Sequence, residues 1–111
     1  MPAIDKATFE AIKQMSGADF MNELIDAFLE DTPQMIQNMR IALDRNDAES
    51  FRRNAHSLKS NAYTFGATEL GALARELELM GKENNLDVGD RLEVLHESFG
   101  RAAQEPREFR V

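Results

Sequence analysis

The chain has 111 residues, no cysteine, 13 basic against 20 acidic side chains and a net charge of −7. That length fits one domain with its own core. The missing cysteines exclude disulfides, zinc fingers and cysteine nucleophiles, and the acidic balance argues against a general nucleic-acid binder, which must neutralise phosphates. No run of 18 apolar residues occurs, and the start, MPAIDKATFE, has neither a basic leader nor an apolar stretch. No membrane insertion and no signal peptide are expected, hence a cytoplasmic location.

Apolar spacing is helical throughout. Residues 4–15 carry Ile4, Phe9, Ile12 and Met15, a short amphipathic helix. Ser16 followed by Asp19 reads as a capping box for the next helix, with Phe20, Leu24, Ile25, Phe28 and Leu29 as its stripe. Thr32-Pro33 reads as a break and restart, with Thr as N-cap and Pro at the first helical position. Met35, Ile36, Met39 and Leu43 follow, up to the turn residues 44–47.

The cleanest pattern covers residues 48–65, where Phe51, Ala55, Leu58, Ala62 and Phe65 recur at intervals of 4, 3, 4 and 3. Gly66 reads as its C-cap. Leu70, Leu73, Ala74, Leu77 and Met80 form the next stripe, which Gly81 is expected to stop. Asp87 with Asp90 would cap a last helix with Leu92, Leu95, Phe99 and Ala102 or Ala103, ended by Pro106. No window alternates long enough for a strand. The expectation is an all-α fold: an antiparallel up-and-down four-helix bundle with an additional short N-terminal helix. Residues 1–16 would be that helix, 17–105 the bundle and 106–111 a charged tail, all in a single domain.

The chemistry available is narrow. There is no GxSxG elbow, no Walker loop and no GxGxxG. Glu93 and His96 make one ExxH pair, but Arg53 stands three residues before His56, so a two-metal bundle site lacks its second half. No metal and no cofactor are expected.

His56 and His96 are the only histidines. His56, Lys59, Ser60 and Tyr63 share one exposed helix side beside the apolar stripe, with Lys59 one turn from the imidazole. Such a histidine is a reasonable nucleophile with an anion-stabilising partner. Residues 50–68 contain no Asp or Glu but hold Arg52, Arg53 and Lys59, a local charge of +3. That field favours a bound or attached phosphoryl group, or docking of an acidic partner. Spacing alone also permits a merely solvated histidine. His96, between Glu93 and Glu97, has the opposite field and reads as structural, at the edge of its stripe.

The run Ala55-His56-Ser57-Leu58-Lys59-Ser60, continued through Phe65-Gly66-Ala67 to Leu70 and the later Leu77-Glu78, resembles the signature of histidine-containing phosphotransfer (HPt) domains. The pattern has His, Leu at +2, Lys at +3, and Gly-Ala ten and eleven residues on. The chain departs from it at Ser60, where Gly is usual, and at Asn61, where Ser is common.

The resemblance implies a four-helix bundle whose exposed His56 accepts a phosphoryl group from a receiver-domain aspartyl phosphate and passes it to another receiver, in a multistep two-component phosphorelay. Lys59 would offset the transferred charge. Arg52, Arg53, Ser60 and Tyr63 would meet the partner, a receiver domain of a response regulator or hybrid histidine kinase. Magnesium would belong to the receiver. On this reading the chain is a monomeric carrier without kinase activity, free-standing or part of a hybrid sensor kinase. The alternative is a helical adaptor that binds signalling partners without phosphotransfer.

Overall fold

The computed structural model describes the backbone of residues 18–109 and the side chains of residues 23–104. Four helices fill it: α1 (Ala18–Asp44), α2 (Ala48–Thr64), α3 (Thr68–Lys82) and α4 (Arg91–Phe109), with no strand among the described residues. The expected helix over residues 4–15 and the cap at Ser16 lie outside the described residues.

The apolar stripes converge on one core. Phe51, Ala55, Leu58, Ala62 and Phe65 of α2 and its end are buried, with Leu70, Ala74 and Leu77 of α3 and Leu92, Leu95, Phe99 and Ala102 of α4. Phe28 of α1 packs its ring 5.0 Å from that of Phe65 and 5.5 Å from that of Phe99, joining three segments.

The structure corrects the reading of Thr32-Pro33. There is no break: α1 is a single 27-residue helix with Pro33 inside it. A mid-helix proline costs about 3 kcal/mol, but burying each large apolar side chain yields roughly 1.5–3 kcal/mol. Ile25 and Phe28 before the proline, and Ile36 and Met39 after it, all enter the same core, so continuity wins. Pro33 itself is exposed. Thr32, expected as a cap, is fully buried, and its hydroxyl has no hydrogen-bond partner. Pro106 likewise does not end α4, which continues to Phe109; a proline there removes a single amide donor from the ladder.

The turns follow one device. After α1, α2 and α3 a residue with positive φ closes the helix: Asn46 (53°), Gly66 (71°) and Asn84 (59°). In each case its amide and the next bond back to carbonyls of the last turn, as in Gly66 N to Tyr63 O (3.1 Å) and Ala67 N to Ala62 O (2.8 Å). Asp47 then caps α2 by accepting from the Ser50 amide at 3.1 Å. Gly81 is therefore not the stop of α3, which runs on to Lys82 and is turned by Asn84. Gly81 is buried against α2, where an added Cβ would lie 3.1 Å from Arg52 Cβ and 3.2 Å from its Cα and N.

That close approach sets the register of α2 and α3. Arg52 meets Gly81, His56 and Lys59 meet Glu78, and Tyr63 meets Gly71. The order descends on one helix as it rises on the other, so the pair is antiparallel. Arg91 to Glu76 and Arg101 to Glu69 tie α4 to α3 in the same opposed sense.

Candidate functional site

His56 sits midway along α2, one residue past the buried Ala55 and two before the buried Leu58. This places its side chain outward, 56% exposed. Ser60 and Tyr63 are exposed on the same side and Lys59 is half-buried beside them, so the four residues share the side their spacing predicts. The Tyr63 ring leans over Gly71 of α3, where an added Cβ would come within 2.8 Å of it.

A residue from α3 completes the group. Glu78, only 15% exposed, presents one oxygen to each cation-capable neighbour. Its Oε2 lies 2.6 Å from His56 Nδ1, and its Oε1 accepts from Lys59 Nζ at 2.6 Å. Burial pushes the Glu78 carboxyl up, but the hydrogen bonds from Lys59 and His56 outweigh it and hold the group below its ordinary value of 4.5. Glu78 is ionised at neutral pH and neutralises part of the field around the imidazole.

The arginines have a similar partner. Arg52 binds Glu49 through Nε (3.1 Å) and Nη2 (2.6 Å), and Arg53 Nε reaches the same carboxylate at 3.2 Å. Their hydrogen bonds, Arg52 first, hold Glu49 below its ordinary value despite the opposing desolvation. The stretch 50–68, acid-free in sequence, is thus not acid-free in space. Glu49 stands one residue outside it, and Glu78 arrives from the next helix. The +3 field expected there is largely compensated.

Sequence reasoning passed over the role of Glu78, although a signal existed. Gly71, Ala74, Glu78 and Gly81 follow one another at 3, 4 and 3, a row of small residues that lets α3 approach α2 with one carboxylate set into it.

The second histidine has no comparable setting. His96 is exposed on α4 rather than packed at the edge of the core. The nearby Glu93 is engaged by Arg40 of α1 at 2.9 Å, which chiefly holds its carboxyl below the ordinary value. Among the described residues, no three His, Asp or Glu side chains gather as a metal-binding group, and no helix is long and apolar enough to cross a membrane.

No curated protein matches the chain. A solved structure does: the histidine-containing phosphotransfer protein B (HptB) from Pseudomonas aeruginosa PAO1 is similar with a TM-score of 0.89 and 24% identity, covering 98% of each chain. At that identity the likeness speaks for the fold. The Hpt domain family matches residues 23–105, which take in α2 and α3 whole, most of α1 and α4, and the group around His56. The chain therefore belongs to the Hpt domain family, the histidine phosphotransfer carriers of two-component signalling.

Proposed function

We propose that His56 is the phosphoryl-accepting residue, taking the group from the aspartyl phosphate of one receiver domain and passing it to another. The observation that carries this is the exposed imidazole backed by a carboxylate at Nδ1, with an ammonium group on the same carboxylate. The Nε2 lone pair attacks phosphorus in line through a loose transition state with charge on the equatorial oxygens. Lys59, one turn away, offsets that charge. The acyl phosphate P–O bond breaks, and the aspartate leaves as a carboxylate.

Receivers dock over the exposed side of α2. Ser60 leaves room beside the imidazole, Tyr63 offers an aromatic surface, and Arg52 and Arg53 meet the acidic rim of the receiver pocket while shared with Glu49. The domain works as a monomeric cytoplasmic carrier and has no kinase activity of its own.

The test is incubation with a phosphorylated receiver. An acid-labile, base-stable label on the chain, absent from His56→Gln, is the expected result. A chain that binds the receiver yet never takes label is an adaptor, and the proposal fails.

A further inference from the structure

Most cations of this molecule are already paired, and the exceptions fall together. Among the described residues, Arg40, Arg52, Arg53, Lys59, Arg91 and Arg101 sit in ion pairs. Arg45, Arg75 and Lys82 have no such partner there. Arg75 and Lys82 lie on the outer row of α3, where spacings of 4 and 3 put Leu79 between them on one face. All three are exposed. Leu79, at 48%, is more exposed than Tyr63 (42%) or Ile41 (37%). It directly follows Glu78, the residue in contact with His56. The rest of α3 does not cancel the charge of the row. Glu69 and Glu76 are taken by Arg101 and Arg91, Glu78 by Lys59 and His56, and Glu83 comes only after the helix has ended. The third cation, Arg45, lines an open cavity of about 740 Å³ with Lys82 and Arg52, at the end of the α2–α3 seam.

We propose that this row of α3 selects the partner: Arg75 and Lys82 steer an acidic receiver surface onto the molecule, and Leu79 holds it by burial against an apolar patch between the partner's carboxylates. This rests on the reading that the chain exchanges its phosphoryl group with a receiver. At about 1.5 Å per residue, Arg75 and Lys82 stand about 4.5 and about 6 Å along the helix from Glu78. An interface of roughly 800 Å² per partner, about 16 Å in radius if round, covers them when it is centred on His56. The chain carries a net charge of −7, so it repels an acidic partner except where positive charge is free. Arg52 and Arg53 share Glu49, and Lys59 shares Glu78. Such a cation must loosen one carboxylate to meet another, whereas Arg75 and Lys82 give up only water. The α2 residues around His56 then serve the transfer, and the α3 row serves the choice of partner.

Rapid mixing with an unphosphorylated, fluorescently labelled receiver domain reads association and dissociation with no transfer involved. Arg75→Gln combined with Lys82→Gln should slow association about tenfold at low salt and flatten its salt dependence. Arg40→Gln combined with Arg101→Gln makes the same change in net charge on α1 and α4, and should leave association within about twofold of wild type. Leu79→Ala should speed dissociation about tenfold. All five side chains lie at the surface, so the helical content of each variant should match wild type. Wild-type association and dissociation in the α3 variants overturn the proposal. Equal slowing by the two charge pairs overturns it as well, because net charge and not the row would then steer. Phosphoramidate, a small donor that needs no docking, should label the chain and not His56→Gln. Label on that variant overturns the acceptor assignment, and the binding rates still decide the role of α3.

Discussion

The chain holds two exposed histidines, and each has a glutamate nearby. His96 has Glu93 on its own helix, one turn back, but that carboxylate is taken by Arg40 of α1 at 2.9 Å. His56 has Glu78 from the neighbouring helix, less exposed than Glu93, with one oxygen for the imidazole and one for Lys59. Being exposed and near an acid does not distinguish them. The difference is that a helix crossing, close because Gly81 sits on Arg52 and Gly71 under Tyr63, sets a carboxylate against one ring nitrogen.

The comparison can be broken most sharply by removing each histidine. His56→Gln should reduce phosphoryl acceptance by at least 1,000-fold, the order of a lost nucleophile (~10³ or more). His96→Gln should leave the rate unchanged and alter stability by less than about 0.5 kcal/mol. Equal losses in the two variants, measured with one phosphorylated receiver, would remove the distinction.

Next in size is Lys59→Ala. If the ammonium group contributes about 1.4 kcal/mol to the transition state, acceptance slows roughly tenfold. Thermal melting should change little, because a partly exposed ion pair contributes about 1 kcal/mol or less. A wild-type rate in rapid-mixing experiments would mean that the cation only anchors Glu78.

The helix crossing itself can be probed with two glycines. Gly81→Ala forces a methyl group against the Arg52 backbone, which cannot swing aside, so a clash of about 1–3 kcal/mol outweighs the helix propensity gain of about 1 kcal/mol. Gly71→Ala comes first against the exposed Tyr63 ring, which can rotate away. Denaturant titration should therefore show a loss for Gly81→Ala and none for Gly71→Ala. The reverse order would place the tight contact elsewhere.

The smallest effect is that of pH on Glu78. Its carboxyl lies below 4.5 in the folded protein. A depressed carboxylate contributes stability that is present above the unfolded pKa and lost as pH falls through the folded value. Wild type should melt above Glu78→Gln at neutral pH, and the gap should close once pH drops below 4.5 and through that lower value. A gap that persists in stronger acid would show that packing, not charge, separates the two.

How much of this was legible in the sequence depends on where the deciding contact lies. The α2 stripe and the exposed side with His56, Lys59, Ser60 and Tyr63 follow from periodicity within one helix, and they stand as expected. At Thr32-Pro33 and Gly81 the local signals name a break, while the outcome is set by cores and crossings that involve other helices. Asn46 and Asn84 do the stopping, through left-handed φ values that composition alone does not flag. The charge reading failed in a similar way. A window along the chain misses Glu49 by one residue and cannot see Glu78, which arrives 22 positions later and only because α3 folds back on α2.

The central claim is that His56 carries the phosphoryl group on the nitrogen that Glu78 leaves free. Phosphorus-31 and nitrogen-15 NMR of the chain after transfer from a phosphorylated receiver tests it most directly. The account predicts one phosphorus bonded to Nε2 of His56, with Nδ1 still protonated. Phosphorus on Nδ1, on His96, or on no histidine at all would contradict it.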